Sequence, residues 1–349
     1  MTKEKDVNRQ KVIIHCLLIL ILVSATQRLH GQQVTKVGTT AGTFLSIPVG
    51  ARAVAMGGAF VGVANDASAM YWNVAGIASL SQSEALVTHA EWLAGISFNF
   101  GGVVLPLEDF GTAGINFTSM TMGDMQRTTE ELPEGTGETF SAGSFAIGIS
   151  YARKLTDWFQ IGGNLKYVED YIWNESASTF ALDLGTLFTT PFEGLKFGAG
   201  ISNFGGKMQM SGDDLLVQKD ISPNSGNNPN INANLATDQF NLPLKLRIGF
   251  AYDVISTEDQ LFTLVADAVH PNDNSESLDL GGEYSVFHRI VSVRAGYSGI
   301  GMSGGEEQFT LGGGINYPIN NHLGIKFDYG YMKFGRLDNI QQFSLAILF

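Results

Sequence analysis

From Glu84 to Phe349 the chain alternates between apolar and polar or small residues with a period of two, the mark of strands with one greasy and one polar face. Leu244, Leu246, Ile248, Phe250, Tyr252 and Val254 interleave with Lys245, Arg247, Gly249, Ala251 and Asp253. Leu323, Ile325, Phe327, Tyr329 and Tyr331 interleave in the same way with Gly324, Lys326, Asp328 and Gly330. Phe145 to Tyr151 and Leu278 to Tyr284, the latter set against Asp279, Gly281 and Glu283, continue the pattern. Roughly fourteen such segments follow one another, near 84–90, 94–105, 111–122, 143–153, 158–172, 177–190, 195–203, 243–255, 260–270, 276–287, 289–298, 307–317, 321–333 and 340–349. A soluble sandwich alternates too, but there the apolar face is a core; in a membrane barrel it meets lipid, and small and charged residues line the lumen. Lys245, Arg247, Asp279, Glu283, Lys326 and Asp328, all mid-strand, are placed as luminal charges.

Loop lengths give a second reading. With a periplasmic amino terminus, the even-to-odd connections of a bacterial barrel are the short ones. They fall at 106–110, 156–157, 191–194, 256–259, 288 and 318–320, while the long connections, 123–142 and 204–242, fall in the opposite set and are expected outside the cell. The last strand alternates Phe343, Leu345, Ile347 and Phe349, and closure requires it to pair with the first, since lipid tolerates no open strand edge. The stretch 211–241, dense in Asn, Asp, Ser, Gly and Pro, reads as one long external loop, mobile or ordered by a partner.

One stretch breaks the alternation. Residues 50–76 are too rich in Gly and Ala for an ordinary strand and lack the sustained period of a surface helix. Ala67 to Tyr71 permit one helical turn, with Asn65 or Asp66 placed to cap it. A compact small-residue segment ahead of a long run of strands reads as a plug.

Composition supports a barrel in a membrane. Only 16% of residues are charged, 11% are aromatic, and there are 42 glycines. Residues 1–31 read as a secretory signal, with Lys3, Lys5, Arg9 and Lys11 ahead of an apolar run from Val12 to Ala25 that is short for a bilayer span. The lone Cys16 lies within it, so removal leaves no disulfide or thiolate chemistry. Removal also takes five of 21 basic and two of 34 acidic residues, leaving 16 and 32 and a net charge of −16, a sign that disfavours nucleic acid.

The run from Gly50 through Asn73-Val74-Ala75-Gly76 resembles the amino-terminal signature of the PorV/PorQ family, FadL-type outer-membrane barrels in which such a segment forms a hatch in the lumen. The family pattern ends Asn-Pro-Ala-Gly; Val74 here replaces the proline and frees the local φ. The resemblance implies an all-β transmembrane antiparallel barrel of about fourteen strands with an amino-terminal luminal hatch, divided as signal 1–31, hatch 32–82 and barrel 83–349. Its hatch residues are Gly50, Arg52, Met56, Gly57, Gly58, Gly62, Asn65, Asp66, Tyr71, Asn73 and Gly76. Arg52 is expected to pair with Asp279, Glu283 or Asp328.

The family implies two roles. PorV is a type IX secretion component that takes cargo by its carboxy-terminal signal domain from a secretion channel and passes it to surface attachment. FadL-type relatives carry hydrophobic molecules past the hatch and out through a lateral opening. The sequence reading favours the secretion role, with channel subunit, cargo signal domains and outer-membrane lipid as partners. The terminal Phe349 resembles the signal read by the barrel assembly machinery.

No catalytic chemistry is expected. Gly301-Met302-Ser303-Gly304-Gly305 fits the nucleophile-elbow pattern but sits between barrel strands, with no helix after it. His15, His30, His89, His270, His288 and His322 have no metal-ligand spacing, and Asp213-Asp214 and Asp267 with Asp273-Asn274 read as solvated turns rather than calcium loops. No metal or cofactor is expected.

Overall fold

The computed structural model describes residues 36–220, 230–305, 307–320 and 322–349. The signal at 1–31, Cys16, and residues 221–229 of the long connection lie outside the described residues.

Fourteen antiparallel strands form one closed sheet. They are β1 (Glu84–Glu91), β2 (Ser97–Pro106), β3 (Thr112–Thr121), β4 (Ala142–Thr156), β5 (Phe159–Ile172), β6 (Glu175–Thr189) and β7 (Leu195–Gly205). The second half is β8 (Lys245–Ser256), β9 (Leu261–Pro271), β10 (Ser277–Val286), β11 (Val291–Ile300), β12 (Gln308–Pro318), β13 (Gly324–Met332) and β14 (Ile340–Leu348). Each strand pairs with its sequence neighbours, and β14 closes the ring on β1 with Glu84 opposite Leu348 and His89 opposite Phe343. All fourteen expected segments are strands. The ends differ most at 94 against Ser97, 153 against Thr156 and 321 against Gly324.

Alternation sets the two faces. On β8, Ile248 and Phe250 are exposed while Arg247 and Ala251 are buried, and on β14 Phe343, Leu345 and Ile347 are exposed while Gln342, Ser344 and Ala346 are buried. The apolar set therefore faces outward and the polar and small set inward, the reverse of a soluble barrel.

The connections at the end where β1 begins and β14 finishes are short, at 107–111, 157–158, 190–194, 257–260, 287–290 and 319–323. The opposite end carries 122–141 and 206–244. The latter is not uniformly irregular. Met208–Gln209 pairs with Gln239–Phe240, and Leu216–Lys219 pairs with Ile231–Asn234, so parts of the expected loop fold back as short ladders. Met208 and Leu242, at its two roots, are buried with Phe44 and Leu45.

Candidate functional site inside the barrel

Residues 40–83 run along the inward face of the ring. At the long-connection end, Thr40 bridges Asn241, the Ala41 N–H donates to the Asn241 carbonyl at 2.9 Å, and the Thr40 hydroxyl donates to Asp273 at 2.9 Å. At the short-turn end, the Ser79 hydroxyl donates to Gln160 at 3.0 Å, and Ser83 and Phe349 exchange backbone hydrogen bonds. The segment thus passes from one mouth to the other before β1 begins. This qualifies the periplasmic amino terminus assumed from loop lengths: β1 starts at the short-turn end, but the chain around Thr40 lies at the other.

The segment contains two single-turn helices, α1 (Ala51–Ala55) and α2 (Ala69–Trp72). Small residues let it lie directly on the wall. A Cβ at Gly162 would stand 2.7 Å from Ala75 N, and one at Gly330 2.7 Å from the Ala51 carbonyl. Cβ atoms at Gly198, Gly281, Gly296 and Gly312 would collide with Val61, Met56, Gly57 and Ala55. Close approach of two backbones is what glycine permits. Gly57, at φ 69°, turns the chain after α1, and its own Cβ would meet the Leu280 carbonyl at 2.8 Å.

Polar groups fasten the segment to the wall. The N–H groups of Phe60 and Val61 donate to Asp267 Oδ2 at 2.8 and 2.9 Å, and Ala51 N–H donates to Ser344 Oγ at 2.9 Å. Asn73 Nδ2 donates to the carbonyls of Val61 and Thr186, each at 2.9 Å, tying the segment to itself and to β6. Ala67 N–H donates to Glu84 Oε1, whose other oxygen accepts Lys326 Nζ at 2.7 Å. These bonds satisfy backbone groups that would otherwise be stranded away from water.

Arg52 is the centre of an ionic cluster. Its guanidinium donates to both oxygens of Glu283 at 2.9 Å, to Asp66 at 3.0 Å and to Asn65 Oδ1 at 2.6 Å. Arg294 donates to Glu283 at 2.5 Å and to Asp328 at 2.6 Å. Burial works against the charged form of Arg52, but Glu283 and Asp66 more than offset it and hold its pKa above the ordinary value. The cluster lines a cavity of about 220 Å³ near the short-turn end, with Glu84, Lys326 and Arg289 also on its walls.

Of the three expected partners, Arg52 takes Glu283. Asp328 goes to Arg294, and Asp279 accepts the Gly299 N–H at 2.9 Å. Asp66 Oδ1 accepts the N–H of Ser68 at 3.0 Å and also its hydroxyl, and the Asp66 carbonyl accepts the Ala69 N–H, so Asp66 caps the turn that leads into α2; Ser68, immediately before α2, makes no side-chain cap bond, and Asn65 is turned to Arg52 instead. Lys245 reaches the Ser46 carbonyl at 3.5 Å. The Arg247 guanidinium lies over the rings of Tyr71 and Trp72 at 5.7 and 5.0 Å. Met56 packs on Gly281, Gly58 faces the Trp72 ring, Gly50 faces Ser68, and Gly76 lies against the Ala64 carbonyl.

Sequence reading missed Arg294 and Glu84, and with them Lys166, which pairs with Asp183 at 2.9 Å, and it placed Asp267 in a solvated turn, whereas Asp267 is fully buried on the inward face of β9, where it accepts the N–H groups of Phe60 and Val61. All fall on the inward phase of their strands, so the alternation itself was the available signal. Among the described residues, no group of three or more His, Cys, Asp or Glu is arranged to hold a metal ion. Met302 and Ser303 lie in the turn between β11 and β12, with no helix following.

Among solved structures, the CymD monoaromatic hydrocarbon channel superposes with a TM-score of 0.56 at 13% identity, covering 86% of this chain and 97% of that one. The Pseudomonas putida toluene transporter TodX gives 0.54 at 13% identity, over 86% and 97%. A Pseudomonas aeruginosa FadL homologue gives 0.52 at 13%, over 87% and 98%. The barrel is FadL-type in fold. Residues 20–163 also match the model of an uncharacterised protein family, UPF0164, a span that includes the whole Gly50–Gly76 stretch. No curated protein matches the sequence.

Proposed function

We propose that the protein is an outer-membrane conduit for hydrophobic small molecules and that residues 40–83 act as its hatch. The reading rests on the likeness, over 86% of this chain, to barrels described as a monoaromatic hydrocarbon channel and a toluene transporter. Fold alone does not fix function, and the lumen adds its own support. Residues 43–79 contribute a buried apolar cluster including Phe44, Phe60, Met70 and Trp72, side chains that a displaced segment would offer to a hydrophobic solute. In this reading the ionic cluster at Arg52 keeps the hatch seated while no solute is present.

The test is uptake of a radiolabelled monoaromatic hydrocarbon by intact cells that do or do not produce the barrel. Production-dependent uptake, lost when Met70 is replaced by Arg in a barrel that still assembles, supports the conduit. Equal uptake in both cells overturns it.

A second reading is a type IX secretion shuttle. It is favoured by the family resemblance of residues 50–76 and by the two short ladders of the long connection, which expose Leu216, Ile231 and Phe240 among polar residues, a mixture suited to a protein surface. Shortening 211–241 to a few Gly and Ser residues discriminates. A cargo signal domain that co-purifies in mild detergent with the full barrel and is lost from the shortened one supports the shuttle. Hydrocarbon uptake unchanged by the shortening supports the conduit.

A further inference from the structure

The outward face of the barrel is interrupted where the ring closes. In one register row Tyr329 and Phe343 stand on β13 and β14, and Phe145 stands on β4. Between them, on β1, β2 and β3, the same row reads His89, Asn99, Ser119. His89 Nδ1 and Asn99 Oδ1 are 2.8 Å apart and hydrogen-bonded. One row further into the wall the sequence across strands is Phe327, Leu345, Val87, Gly101, Phe117. Gly101 leaves a gap in that row, and a Cβ there would meet nothing within 4 Å. The result is a hollow of about 440 Å³, walled by Val87, Phe117, Phe327, Phe343 and Leu345 and rimmed on one side by the His89–Asn99 pair.

The barrel wall behind the hollow is closed, because β2 pairs with β1 and β3 through this region without a register shift. The hollow is therefore no branch of the lumen and opens only to what surrounds the barrel. Polar side chains facing hydrocarbon are costly unless they find partners. The next row out, Glu91, Gln341, Ser97 and Thr121, is fully polar and lies two residues on, about 7 Å along the strand. His89 and Asn99 thus sit just inside the polar boundary, at the depth where a lipid's ester groups meet its chains.

We propose that this hollow is a binding site for one glycerophospholipid of the leaflet at the long-connection end. An acyl chain fills the space over Gly101 between the aromatic rings. His89 Nδ1–H donates to Asn99 Oδ1, which leaves the Asn99 amide N–H groups free, and an ester carbonyl accepts a hydrogen bond from one of them. Depth, polarity and shape select a lipid over a bare hydrocarbon, which has no use for the polar rim, and over a bulk chain, which has no reason to stay.

The experiment uses the full barrel reconstituted in vesicles of phosphatidylethanolamine and phosphatidylglycerol, extracted in mild detergent and weighed by native mass spectrometry. Gly101→Phe projects a ring into the hollow from a position where a Cβ meets nothing within 4 Å, and His89→Leu with Asn99→Leu removes the rim. Leu264→Phe, on the outward face of β9 across the ring, is the control. Wild type and control are expected to carry one phospholipid, and both test variants to lose retention about tenfold while keeping heat-modifiable gel mobility. The proposal is overturned if the wild-type barrel carries no phospholipid, if Gly101→Phe retains it as well as the control, or if the retained mass is a second protein chain.

Discussion

Arg52 and Glu283 meet in a two-pronged ion pair, with Nε–Oε2 and Nη2–Oε1 both 2.9 Å, and this pair joins the inner segment to strand β10. A bidentate guanidinium–carboxylate pair fixes orientation as well as distance. Glu283 is shared with Arg294, which also holds Asp328, so the pair is one link in a chain reaching β11 and β13. Arg52→Ala removes the segment's link and leaves Asp66 without its cation. The expected loss is about 3 kcal/mol of barrel stability. It is read as a lower temperature of heat modification, together with raised ion conductance in planar bilayers. Glu283→Gln is expected to act in the same direction and to add less than its full effect to Arg52→Ala, since the two variants share the Arg52–Glu283 contact while Glu283→Gln also weakens the pair with Arg294.

The outward face gives a second expectation. Phe250 is exposed on β8, and Phe250→Arg places a charge in lipid at a cost of about 2–4 kcal/mol if it lies near the midplane. The neighbouring Gly249 faces Asp267, and Gly249→Arg is expected to fail by crowding the lumen instead. Comparison of the two in thick and thin bilayers separates the mechanisms, because only the Phe250 variant responds to thickness.

Contact between backbones gives a third. Gly296 is matched to Gly57 so closely that no side chain fits between them. Gly296→Leu is expected to assemble as a ring whose inner segment cannot seat. The signature is a heat-modifiable barrel with open-channel conductance and protease-sensitive bonds in 50–76 that are protected in the wild type.

The mouths give a fourth. Protease added to intact cells is expected to cut within 123–140 or 206–244, and not at 107–111 or 190–194. Val37 is 63% exposed and lies three residues before the Thr40–Asn241 bridge, so in a Cys16→Ser background Val37→Cys is expected to react with a membrane-impermeant maleimide from outside. Reaction only after the outer membrane is opened reverses the orientation.

The strands were readable because a period of two over ten residues has no competing explanation once the chain is too short of charge for a soluble sheet. Leu246 to Val254 states its two faces outright, and the paired row on β9 only completes it. The inner segment was readable as compact but not as a path. Nothing in Gly50–Gly76 tells which strand each residue touches, because those contacts depend on ring closure, 200 or more residues away in sequence for Arg52 with Glu283. The choice of Glu283 over Asp279 illustrates the limit. Both lie on the inward phase of one strand, four residues apart, and only the height at which α1 crosses the lumen selects between them. His89 and Asn99 were legible singly as polar residues, while their adjacency on the lipid side required the register of β1 against β2.

The course of residues 40–83 from mouth to mouth makes them a thread held differently at its two ends. Its far end is held at Asn241 by hydrogen bonds alone, while its near end runs without a break into the tube's own first stave. Ser83 and Phe349 extend the zipper between Glu84–Glu91 and Ile340–Leu348 by one more rung, so drawing that seam shut anchors the foot of the thread in the same act. The thread is thereby moored at one mouth by the wall's own closure and only laced at the other, and it is the laced end that can come undone while the tube stays whole.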